Sequence, residues 1–100
     1  MRVKFRIVIY KDGVKLKKMD LEGKKDAFSV GVRYILEFKY LESTKWLMLA
    51  EDSYEKYLLL GLVNMALGQE LQAREFLQEA EKYPKKTLYT IKVENPQVTL

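Results

Sequence analysis

Between Tyr57 and Leu67, eleven consecutive residues carry no charge, and Asn64 supplies the one polar amide among them. Such a run is a membrane span, a buried helix or a binding surface. A span needs roughly 20 apolar residues, and this run is about half that. It also follows directly on Glu51, Asp52, Glu55 and Lys56. The run is therefore expected to be a buried central helix. The opening residues Met1–Gly13 show no secretory apolar stretch and no small-residue cleavage site. A soluble, cytoplasmic protein is the expectation.

The helix has readable ends. Asp52 and Glu55 fit an Asp-x-x-Glu capping box, and Gly68 is a natural stop. A second helix is predicted over Glu70–Tyr83, with Ala73, Phe76, Leu77 and Ala80 on its apolar face, ended by Pro84. Residues 53–83 thus form an αα-hairpin.

The first residues alternate as a half-buried strand: Val3, Phe5, Ile7 and Ile9 against Arg2, Lys4, Arg6 and Val8. Asp12-Gly13 is a two-residue hairpin signal, which places Ile9 opposite Leu16. A bulge near Lys17-Lys18 would then bring Ile7 to Met19 and Phe5 to Leu21, with Arg6 opposite Asp20 and Lys4 opposite Glu22. Residues 27–41 alternate like a long strand, but Asp26 is a plausible N-cap and Phe28, Val32, Ile35 and Phe38 mark a helical stripe. The helix is preferred because the hairpin's apolar face needs a cover. Thr44–Ala50 reads as a short strand, or alternatively as an extension of the next helix. Thr87–Asn95 reads as a last strand, with Tyr89, Ile91 and Val93 facing inward.

The fold class is accordingly α+β in a single domain, residues 1–100. Its order is an N-terminal β-hairpin, a helix (or long strand) over 27–41, a short strand, the αα-hairpin 53–83, and a C-terminal strand rejoining a mainly antiparallel sheet. No linker or internal repeat stands out.

Tyr57, Leu60-Gly61, Gly68, Ala73, Leu77 and Ala80 together make residues 54–84 resemble a single tetratricopeptide unit. The resemblance implies two antiparallel helices that approach closely at small residues, in a family used for protein interaction. Asn64 stands where that family usually has Tyr, Leu77 where it usually has Phe, and Pro84 comes one residue early.

Composition narrows the chemistry. The chain has no Cys and no His, which removes disulfides, thiolate nucleophiles and the usual general base and metal ligand. Its five glycines are dispersed, so no phosphate loop is present. The carboxylate pairs Glu51/Glu55 and Glu75/Glu79 read as solvated helix faces. No enzyme, cofactor or metal site is expected. Many Lys and Glu with few Asn and Gln fit a thermophile-like composition.

Two surfaces remain. The central helix carries more apolar residues than one core face needs, so a side of it is expected to stay open as a homo-oligomer interface, using Leu58, Leu59, Leu62, Met65 or the face of Trp46. A further protein partner is compatible with that surface. The alternative is nucleic-acid binding. Residues 1–50 hold 12 Lys/Arg against 6 Asp/Glu, whereas residues 51–100 hold 6 against 8. Lys4, Arg6, Tyr10, Lys15 and Lys17 would share the basic face of the hairpin, with Tyr10 as a stacking ring.

Overall fold

The computed structural model describes residues 5–86 and 88–94. The hairpin forms at its predicted turn: β1 (Arg6–Lys11) runs back as β2 (Val14–Lys15). Asp12 and Gly13 take φ of 53° and 79°, the paired positive values a two-residue turn needs to follow the strands' twist. Tyr10 faces Lys15, and the Leu16 N–H donates to the Ile9 carbonyl at 2.8 Å.

There the ladder ends, and no bulge follows. The Asp20 carboxylate accepts the Lys17 N–H at 2.8 Å, and the chain turns into a 3₁₀ turn, Lys18–Leu21. A local side-chain bond of this kind competes with strand pairing. Leu21 reaches the core by that turn, Met19 is exposed, and Arg6 faces Glu94 instead of Asp20. The expected Lys4–Glu22 pairing lies outside the described residues, since Lys4 is not among them.

The other edge of β1 is taken by β3 (Tyr89–Glu94), antiparallel from Arg6↔Glu94 to Lys11↔Tyr89, giving the order β2-β1-β3. β1 is therefore the middle strand, and its Ile7, Val8 and Ile9 are all buried. Tyr89 and Ile91 pack against the core, while Val93, expected inward, is exposed.

α1 (Ala27–Leu36) starts at the predicted cap: the Asp26 carboxylate accepts the Ser29 N–H at 3.0 Å. The stripe on Val32 and Ile35 wins over the strand-like alternation because it faces the sheet. The helix does not run to residue 41. Phe38 takes a left-handed φ of 62°, the Lys39 N–H donates back to the Tyr34 carbonyl, and a new helix begins. That helix, α2 (Tyr40–Leu49), replaces the strand expected at 44–50. Ser43 and Leu47 are fully buried in it. A Cβ on Gly31 would lie 2.8 Å from Leu47 Cγ, so α1 and α2 meet at a contact where any larger residue forces Leu47 to shift.

α3 (Tyr54–Ala66) is capped by the Ser53 hydroxyl, which accepts the Lys56 N–H at 3.1 Å. Asp52 is thus not the cap. The chain turns at Gly68 and returns as α4 (Glu70–Ala80). A Cβ on Gly61 would lie 2.6 Å from Leu77 Cδ2.

The two close crossings are equivalent. Gly61 and Leu77 stand thirty residues after Gly31 and Leu47. The same offset joins the left-handed turns at Phe38 and Gly68, and the buried small residues Ser43 and Ala73. The helical part is therefore two consecutive hairpins of one design, contrary to the expectation of no internal repeat. The sheet packs across them through Ile7 and Ile9.

Candidate functional site

α3 is the most enclosed element, with α4, α2 and the sheet against it. The surplus of apolar residues in Tyr57–Leu67 is absorbed chiefly because residues 40–49 are a helix that supplies a further wall. Leu59, expected at an interface, is 1% exposed and belongs to the core. Leu58, Leu62 and Met65 are half-buried. Trp46 is 37% exposed, on α2.

Exposed apolar side chains are grouped on α2 instead, with others spread over Val14, Met19, Phe38, Leu71, Leu88 and Val93. Leu41 and Met48 are about half exposed and Leu49 is 73% exposed. Their spacing puts Leu41, Lys45, Met48 and Leu49 along one helix face, with Trp46 beside it. α1 takes the opposite side of the helix through Leu47.

The basic residues of the sheet are brought together only in part. Arg6 and Tyr10 alternate with the inward Ile7 and Ile9 and share the outer face. Lys15 stands opposite Tyr10, and Lys92 opposite Val8. Lys92 Nζ sits 5.3 Å from the Tyr10 ring centroid, and the Arg6 guanidinium 5.4 Å from that of Phe38. Lys17 lies beyond the end of β2. Lys4 is outside the described residues.

A polar latch joins the two helical hairpins. Lys56, in the first turn of α3, is 4% exposed. Its ammonium donates to the Met48 carbonyl (3.2 Å), the Ala50 carbonyl (2.8 Å) and Asp52 Oδ1 (3.0 Å), so all three donors are used. A cation there also complements the negative end of the α2 dipole. Asp52 further accepts the Tyr57 hydroxyl at 2.8 Å and the Tyr83 hydroxyl at 3.3 Å. The Lys56 ammonium holds the Asp52 carboxyl below its usual value. The bond to Asp52 pushes the Tyr57 phenol up, and loss of water around Tyr83 raises it too.

Beside the latch a cleft of about 520 Å³ opens between the start of α1, the Ala50–Ser53 link and the start of β3. Glu51 and Glu55, predicted to share a solvated helix face, both line it. Glu51 precedes the helix, and Glu55 is only 6% exposed. Glu55 Oε2 accepts the Lys86 N–H at 3.3 Å. Phe28 and Tyr89 supply an aromatic wall, their ring centroids 5.7 Å apart. The residue spacing carried a signal for the latch, since Asp52 and Lys56 are four apart; nothing in it announced the cleft.

Among the described residues, no group of His, Cys, Asp or Glu is arranged to hold a metal ion, and no helix is long and apolar enough to cross a membrane. No protein-family model, curated protein or solved structure matches the chain.

Proposed function

We propose that this chain is a non-enzymatic protein-association domain that pairs with a second copy of itself. The observation that carries the proposal is the exposed apolar face of α2, with Leu41, Met48 and Leu49 beside Trp46. Apolar side chains grouped on one face of a folded domain mark an interface more often than scattered ones do, and a two-fold homodimer is the commonest use of such a face. A cytoplasmic setting is part of the same proposal. Sedimentation velocity across a concentration series tests it. A concentration-dependent dimer abolished by Leu49→Lys supports the reading, and a monomer at every concentration refutes it.

The resemblance to a tetratricopeptide unit extends to both hairpins under this reading. Tyr34 stands thirty residues before Asn64, so the first hairpin carries the tyrosine that the second lacks. Close approach at Gly31 and Gly61 supports treating the pair as related units.

The second reading is nucleic-acid binding by the outer sheet face, favoured by Arg6, Lys15 and Lys92 around Tyr10. Against it, Glu94 faces Arg6, and Lys92 already occupies one side of the Tyr10 ring. Titration with single- and double-stranded oligonucleotides at several salt concentrations decides it. Binding that weakens steeply with salt supports this reading, and no binding at low salt removes it.

A further inference from the structure

From the geometry of the cleft we infer a binding site for an alkylammonium group, an ammonium head on an aliphatic stem. The chain as a whole is positive, at +4, yet four carboxylates line this cleft against one cation, Lys86. Two of the four are already engaged: Asp52 by Lys56, and Asp26 as the cap of α1. Neither Glu51 nor Glu55 is paired with a cation among the described residues.

Glu55 is the central observation. A carboxylate this buried ordinarily has a paired cation, because removal from water disfavours an isolated charge. Among the described residues, its one hydrogen bond is the long one from Lys86 N–H, and no ammonium or guanidinium lies within ion-pair distance of it. Its place in the first turn of α3 offsets part of the burial but does not fill the space in front of it. That space has the other features an organic cation uses. Leu49 and Leu88 give an apolar wall for a stem. Phe28 and Tyr89 give ring faces, which attract a cation through their quadrupoles. The Lys11 ammonium, 5.9 Å from the Tyr89 centroid, already takes one side of that ring. A bare metal ion would gain nothing from the aromatic and aliphatic walls, and an anion would meet Glu55.

Such a head is carried by a free polyamine or by a lysine side chain of a peptide. The test is calorimetric titration of the full chain at low salt with spermidine, with N-acetyl-lysine methylamide, and with the uncharged norleucine analogue. Saturable binding of either amine, without binding of the norleucine analogue, is expected. Spermidine alone binding identifies a free polyamine as the source, and the lysine compound binding identifies a peptide side chain. Glu55→Gln should weaken that binding about tenfold or more, while Glu75→Gln on the outer face of α4 should leave it unchanged. Phe28→Leu, which keeps an apolar side chain but removes the ring, should also weaken it. Absence of amine binding, or equal binding by Glu55→Gln and the parent chain, overturns the inference. Leu49 belongs both to the cleft wall and to the α2 face proposed for pairing, so sedimentation of the same samples, with and without amine, reads the pairing separately from the binding.

Discussion

The Ile7 N–H donates to the hydroxyl of Tyr40, 33 residues away, at 3.2 Å in the buried interior. Alternate residues of β1 direct their backbone groups to the β2 edge, and β2 is gone by the time the ladder reaches Ile7. The tyrosine at the start of α2 takes the place of the missing strand. Removing that hydroxyl in Tyr40→Phe leaves a buried donor without a partner, at a cost of about 1–3 kcal/mol. Urea unfolding should show this loss, and hydrogen exchange should show the Ile7 amide opening faster than that of Ile9.

The glycine contacts make a coupled prediction. Gly61→Ala gains about 1 kcal/mol in helix propensity, but its methyl group meets Leu77 and lies 3.2 Å from the Ala73 carbonyl oxygen. Overpacking of this kind costs about 1–3 kcal/mol, so the net change should be destabilising. Trimming the opposing side chain in Gly61→Ala/Leu77→Ala should give less than the sum of the two single losses. A double-mutant cycle from urea midpoints measures the difference. Simple additivity would show that the two residues do not meet.

Lys56→Met keeps an unbranched side chain one atom shorter and removes the three donors. The Met48 and Ala50 carbonyls and the Asp52 carboxylate lose their common partner, and stability should fall by about 2 kcal/mol or more. The loss should appear in thermal and urea unfolding alike.

The latch also sets a pH response. The Asp52 carboxyl is held below its ordinary value of 3.8 when folded. Its contribution is therefore complete above that value and is lost as pH falls through the lower, folded one. Asp52→Asn should flatten the stability profile below about pH 4. At the alkaline end the sign reverses. Burial raises the Tyr40 phenol and the bond to Asp52 raises that of Tyr57, both above the ordinary 10.0. Their contributions hold below that value and are lost as pH climbs past it. Urea midpoints measured across pH check both limbs.

On α2, Leu49→Lys and Met48→Glu should each change stability by no more than about 0.5 kcal/mol, because both side chains face outward. Their effect should appear in sedimentation instead, as loss of the dimer.

The elements with strong local chemistry were legible from the residues: the Asp12-Gly13 turn, the Asp26 cap, the Gly68 reversal and the last strand. Those decided at a distance were not. Whether Lys17–Leu21 continues β2 depends on Asp20 acting locally and on Tyr40 arriving from far along the chain. Thr44–Ala50 is too short and too apolar for periodicity to separate strand from helix. The thirty-residue repeat hides because few residues coincide, among them Gly31/Gly61, Leu41/Leu71, Leu47/Leu77 and Ala50/Ala80. The sites fared alike. A basic sheet face can be read from alternation, but the burial of Leu59 and of Glu55 depends on what packs against α3 and on where the approach to β3 passes.

The pairing of β1 with β3 has a consequence for how the chain is made. Nearly ninety residues separate Arg6 from Glu94, so a ribosome completes α1 to α4 before the partner of β1 exists. Contacts between near neighbours form fast, and long-range strand pairing forms slowly. Both helical hairpins can assemble while β1 still shows a bare edge, which makes the nascent chain most prone to wrong strand partners just before β3 arrives.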